Sequence, residues 1–263
     1  MFKGIQDSIT VTVRLGFGYL WVDRYCINQQ CKEEVYAQVH KMDSIYQGSE
    51  LTIIAIAGQD PMHGLLGVGY RPWKTQARAC IGKYLFVSSL SNPQTSISRS
   101  AWNTRAWTYQ EALLSRRRLV FTDEQMYYEC YGMHCYESLM HPLRDMHLVS
   151  RQRSKGMFCD GKIIGVFPRG VGRTASDVYS RIQEYSEKSL SHPSDILNGI
   201  LSVLRAFEEE NFRVRHVFGI LLHRCQQHMR QGRMVGHQSG IPSGSSSRVS
   251  CGSRETQKFV RQQ

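Results

Sequence analysis

The sequence predicts an α/β fold: a partial doubly wound parallel sheet with flanking helices and a β-hairpin, followed by a small helical extension. Three observations carry this prediction. Residues 51–57 (Leu-Thr-Ile-Ile-Ala-Ile-Ala) are almost continuously apolar, as strands covered on both faces of a parallel sheet are. Residues 19–23 (Tyr-Leu-Trp-Val-Asp) form a second short apolar run that ends in an acid. Between them, residues 32–46 place Val35, Val39, Met42, Ile45 and Tyr46 on one helical face. Strand, helix and strand at this separation make a βαβ unit, whose two strands are expected to be adjacent and joined by a right-handed crossover.

The remaining elements follow in order. Ile5, Ile9, Val13 and Leu15 suit an amphipathic helix over 5–16, started at Asp7 or Ser8 and ended by Gly16. The Gly- and Pro-bearing stretch 58–72 reads as a loop, and 84–90 as a strand. A helix covers 104–114, and 117–122 with 125–130 reads as a hairpin. Residues 138–173 are mixed and Gly-rich, while 174–189 and 194–209 read as helices, the second started by Ser194 and Asp195. From 231 the chain turns to Gly, Ser, Arg and Gln, a composition that predicts disorder. The expected organisation is a core domain over 1–135, a mostly helical extension over 136–230 and a disordered basic Ser/Gly-rich tail over 231–263.

Composition narrows the function. The 263 residues are 41% hydrophobic and 21% charged, as in a globular protein. No apolar run reaches the eighteen residues a membrane span needs, and the first residues lack the apolar core of a secretory signal. A cytoplasmic location is therefore expected, with the eight cysteines as reduced thiols. Of the net charge of +11, residues 223–263 hold +6, from seven Lys/Arg and one Glu, which leaves +5 for the first 222 residues. That distribution predicts no specific nucleic-acid partner. Cys130, His134, Cys135 and His141, like His223, Cys225 and His228, lack the paired spacing of a zinc site, so no metal is expected. Glycine-rich nucleotide fingerprints and the Gly-x-Ser-x-Gly nucleophile elbow are missing, and the sequence names no cofactor.

Two polar clusters remain. Asp23, Cys26, Asn28 and Gln29 follow the first strand, where ligands bind in open α/β sheets. They either line a pocket there or cap the next helix and satisfy the loop backbone. Trp102, Arg105, Trp107, Gln110 and Glu111 form the second cluster. Either Gln110 and Glu111 face the same pocket while Arg105 holds a carboxylate or phosphate, or both Trp rings sit in the core and the polar groups make structural hydrogen bonds.

The wording of these blocks is specific. Leu15-Gly16-Phe17 leads into Tyr19-Leu20-Trp21-Val22-Asp23 and Cys26-Ile27-Asn28-Gln29. Glu34, Gln38-Val39, Met42, Ile45-Tyr46, Leu51-Thr52-Ile53, Ala57-Gly58, Gly64-Leu65, Gly67 and Arg71 come next. Trp102, Arg105, Trp107-Thr108, Gln110-Glu111, Leu113-Leu114-Ser115, Arg118 and Phe121-Thr122 continue it to Cys130. In this order and spacing the chain resembles the heterokaryon-incompatibility (HET) domain of filamentous fungi over roughly residues 7–135. The resemblance implies a signalling module in non-self recognition and regulated cell death, with a protein partner or self-association. HET domains usually begin with a strand some tens of residues before the Leu15 block. Met1 lies only fourteen residues before it, so the chain is expected to be N-terminally truncated relative to the family. The proposed kinship of HET domains with TIR domains implies an alternative, an NAD glycohydrolase using a pocket glutamate. Glu34 or Glu111 would be catalytic, and Asp23, Cys26, Asn28, Gln29, Arg105 and Gln110 would bind.

Overall fold

The computed structural model describes residues 2–58, 60, 62–138, 165–168, 170–209, 214–217, 220–223 and 259–262. Helix α1 (Lys3–Arg14) ends as its sequence demands. Gly16, at φ 76°, takes the left-handed conformation, its amide reaches the Val13 carbonyl and the Phe17 amide reaches Thr12. This is a Schellman stop, which favours glycine because a Cβ is disfavoured at that φ.

Strand β1 (Tyr19–Trp21) leads into a single turn, α2 (Asp23–Cys26). The predicted helix over 32–46 is two helices, α3 (Lys32–Val39) and α4 (Met42–Gly48). Between them the Lys41 amide tightens onto Gln38, and the guanidinium of Arg205, from far along the chain, donates to the His40 carbonyl. A distant partner takes the acceptor that would have continued the helix.

Strand β2 (Leu51–Ala55) follows. A separate two-stranded hairpin, β3 (Arg78–Ile81) with β4 (Tyr84–Val87), stands apart from the main sheet, so the strand predicted at 84–90 joins no core layer. Helices α5 (Pro93–Ser98), α6 (Ala101–Thr104) and α7 (Ala106–Leu114) come next. The helix predicted over 104–114 is interrupted at Arg105, which is extended (φ −80°, ψ 136°). The Ser189 amide donates to Thr104 and the Ala106 amide donates to Ser189, so Arg105 pairs like a strand residue. The predicted hairpin forms as β5 (Arg117–Phe121) and β6 (Met126–Cys130), with β7 (His134–Tyr136) beside it.

Helix α8 (Ala175–Ser186) opens on a capping box between Thr174 and Asp177. Backbone and side-chain donors from Arg173 and Thr174 hold the Asp177 carboxyl below its ordinary range. Ser194 and Asp195 lie in a 3-10 turn, and α9 (Asn198–Glu209) starts after it. Helices α8 and α9 make up the helical C-terminal part, and after them β8 (Val214–Val217) and β9 (Ile220–His223) form a hairpin. Strand β10 (Phe259–Gln262) corrects the expectation of a structureless tail at those four residues; 231–258 lie outside the described residues.

The main sheet has the order β1-β10-β2-β5-β6-β7. The four strands β2, β5, β6 and β7 are mixed, with β2 and β5 parallel and β5, β6 and β7 antiparallel. β10 extends them and runs parallel to both β1 and β2, so these two share the sheet without being adjacent. Apolar patterning identifies a strand but does not say which strand lies beside it.

Alternation along β2 assigns its faces. Leu51 and Ile53 pack with Val11 of α1, Leu65, Val68 and Phe121. Ile54 turns the other way, to Val120, Tyr127, Ile97, Trp102 and Phe167. A third cluster unites α4, α7, α8 and α9 through Tyr46, Leu113, Val178, Val203 and Phe207.

One buried acid ties the loop after β2 to α1. The Asp7 carboxylate accepts the Leu65 amide at 2.8 Å and pairs with Arg71 at 2.9 Å. Gly64, at φ 79°, lies so close that a Cβ there would meet Asp7 Oδ2 at 2.5 Å. Asp7→Ala removes the partner of Arg71 Nε and of the Leu65 amide. It should destabilise the fold by about 3 kcal/mol, the range for breaking a mostly buried pair, read as a lower midpoint in urea.

Buried tyrosines set an alkaline limit. The Tyr185 hydroxyl donates to the Ile196 carbonyl at 2.8 Å, and burial pushes its pKa from 10.0 up to about 12. Burial also raises Tyr127 and Tyr109, with Glu129 and Glu184 adding to the effect. A raised folded-state value means stability is complete below the unfolded value and is lost as pH rises through the folded one. The melting temperature should therefore hold to about pH 10 and fall towards pH 12, with a shallower fall in Tyr185→Phe.

Candidate functional site

The sequence delivers two strand ends to one place. Beyond β1 the chain continues through Val22, Asp23 and Arg24, and beyond β2 through Ala57, Gly58 and Asp60. With the first turn of α1 and with Ala101, Trp102 and Arg105, these residues line a cavity of about 270 Å³. This is the carboxyl-end crevice where open α/β sheets bind ligands. The Asp7 clamp shapes one wall, because Gly64 lies in it. Trp102, also in the lining, is buried and meets Phe167 edge-on at 6.1 Å. The extended backbone at Arg105 lets that residue contribute to the cavity between two helices.

The lining balances charge. Arg24 and Arg105 supply two guanidinium groups, and Asp23 and Asp60 two carboxylates. Arg24 stacks on Phe2 at 4.6 Å from the ring centre. Asp23 Oδ1 accepts the Arg24 amide at 2.6 Å, and Asp60 Oδ1 accepts the Met62 amide. The first turn of α1 adds the positive end of a helix. Such a site suits a small polar ligand with an anionic group for the guanidiniums and hydroxyl or amino donors for the carboxylates.

The candidate residues are not all here. Asp23 and Arg105 line the cavity. Asn28, Gln29 and Cys26 hold the loop together: Asn28 Oδ1 accepts the Gln30 amide at 3.1 Å, Gln29 donates to the Asp23 and Ile27 carbonyls, and Cys26 Sγ accepts the Val22 amide. Glu34, on α3, accepts the Asn28 amide at 3.5 Å. Glu111 is buried on α7 and accepts the Tyr46 hydroxyl at 3.1 Å. Gln110 is fully buried, and its amide has no hydrogen-bond partner among the described residues. Glu34 and Glu111 therefore do not meet Asp23 in one cavity. Asp60 escaped the sequence reading, although the strand-end argument applied to 51–57 points straight at 58–60.

Residues 1–111 match the family model described as heterokaryon incompatibility protein (HET). Over that segment the chain is similar to a HET domain. No curated protein and no solved structure matches it. Every residue lining the cavity lies inside the matched HET segment.

A second buried polar group lies beyond the HET match. Arg118 and Glu129 face each other across β5 and β6, both with about 1% exposure or less. Glu129 accepts the Tyr127 hydroxyl at 2.6 Å and the Val166 amide at 2.7 Å. Arg118 donates to the Ala112 carbonyl at 2.7 Å and stacks on Phe167; burial lowers its pKa, and Glu129 opposes that. This group seals the sheet against 165–167 and opens onto no part of the HET cavity. Among the described residues no cluster of His, Cys, Asp or Glu is arranged to hold a metal, and no helix is long and apolar enough to cross a membrane. His141, Cys225 and His228 lie outside the described residues.

The two tryptophans of the second cluster separate in the structure. Trp102 is buried and Trp107 only half-buried, so of the two rings it is Trp102 that belongs to the core. Trp102→Ala should cost about 3–5 kcal/mol, and Trp107→Ala clearly less, when both variants are unfolded in urea.

Proposed function

We propose that this chain is a heterokaryon-incompatibility-type signalling module that acts in the cytoplasm. It engages a protein partner or a second copy and triggers cell death when non-self is met. The HET match over residues 1–111 carries this reading. The placement of the glutamates supports association over turnover: Glu111 is held by Tyr46 in the core, and Glu34 caps a loop amide. A catalytic carboxylate needs access to the reacting atoms, and the carboxylates in the cavity are Asp23 and Asp60. Under this reading the cavity senses a small ligand or stabilises the signalling conformation, with Arg24 and Arg105 as its anion-holding groups.

Inducible expression in hyphae of a filamentous fungus tests the proposal, with a vital dye reporting death and an enzymatic assay reporting NAD. Death with steady NAD, unchanged in Glu34→Gln, is the expected result. A fall in NAD that precedes death and disappears in Asp23→Asn or Glu34→Gln would replace the proposal with the glycohydrolase. Healthy hyphae that contain the folded, abundant chain would overturn both.

A further inference from the structure

The slot between β1 and β2 is one strand wide, and the strand within it comes from far along the chain. Tyr19, Leu20 and Trp21 pair with Phe259, Val260 and Arg261 on one side. Val260, Arg261 and Gln262 pair with Leu51, Thr52 and Ile53 on the other. The inserted strand thus has backbone partners on both edges, and α1 packs beside it. The preceding described strand, β9, ends at His223, so 35 residues (224–258) connect β9 to β10. None of the elements that pair with β10 adjoins it in sequence.

These facts bear on which copy of the chain supplies the strand. Everything that recognises β10 belongs to β1, β2 and α1. Those contacts are the same whether the strand arrives from the same chain or from another. What favours the chain's own strand is effective concentration, on the order of millimolar for a short flexible connection and lower as the connection lengthens. Strand exchange of this kind adds no new interface and leaves no ladder group unpaired.

We propose that the slot between β1 and β2 is a strand-acceptor site and that Phe259–Gln262 of a second copy is its exchange ligand. Filling the slot in trans links copies of the chain through their sheets. The inference goes beyond the signalling role and does not require it, since it concerns backbone pairing in the isolated protein.

Val260 and Arg261 are paired on both sides. In the full-length chain, Val260→Pro removes an amide donor and is poorly tolerated in an interior strand. The probe is a fluorescent peptide with the sequence of residues 256–263, followed by anisotropy. The variant should bind this peptide about tenfold or more tightly than the wild type, whose slot is occupied by its own strand. A scrambled peptide should not bind. Equal binding by both chains, binding by neither, or equal binding of the scrambled peptide would overturn the proposal. Should the variant fail to fold, light scattering on the wild-type chain decides. A monomer–dimer equilibrium that excess peptide returns to monomer is expected. A monomer at every concentration, or a dimer indifferent to the peptide, would refute the exchange.

Discussion

The Asp7 carboxylate is the constraint on which the site depends. A buried acid is costly unless its oxygens are matched, and this one is matched twice, by the Leu65 amide and by Arg71. Both partners come from the loop after β2, so a helix near the start of the chain is fixed to a loop nearly sixty positions away. Gly64 is required at the contact, because its φ of 79° and the nearness of Asp7 leave no room for a side chain. The geometry of the cavity follows. With the loop pinned, Gly58, Asp60 and Gly64 line one cavity with Asp23, Arg24 and the first turn of α1.

Buried polar groups serve specificity elsewhere in the molecule. Thr52 hydrogen-bonds Ser115 at 2.8 Å beneath the parallel pair, registering β2 against the end of α7. Glu111 meets Tyr46, joining α7 to α4. Glu129 gathers Tyr127 and the amides of Val166 and Phe167, joining β6 to a segment far along the chain. Each contact is directional, whereas the surrounding apolar packing is not. The candidate residues therefore divide by surroundings: Glu111 belongs to the network that specifies the fold, while Asp23 and Arg105 stand at a cavity.

Much of this was legible beforehand for a physical reason. Period-two and period-3.6 patterns report burial of one element against its surroundings, and burial was strong at β2, at the β5–β6 hairpin and along α9. On α1 the pattern failed: Ile9, Val13 and Leu15 are exposed, and Asp7, Ser8, Val11 and Thr12 form the buried face. Gly16 announced the end of α1 because few other residues adopt its φ readily. The breaks at His40 and Arg105 were not legible, because their causes are remote: Arg205 takes the His40 carbonyl, and Ser189 pairs with the backbone at Arg105. The hairpin of β3 and β4 shows the same limit, since its pattern identifies strands but not that they stand outside the core sheet.

The sequence by itself determined the α/β class, most of the elements and the resemblance to the HET family over residues 1–111, because composition, periodicity and motif order are local properties of the chain. It also marked the strand ends as the place to seek a site. Tertiary structure decided which polar residues reach that place. Asp23 and Arg105 do, joined by Arg24 and Asp60, while Glu34, Asn28 and Glu111 hydrogen-bond elsewhere and Gln110 is buried. It also decided that β10 lies between β1 and β2. Strand order and side-chain convergence depend on contacts between segments dozens to hundreds of residues apart, and no local pattern encodes them.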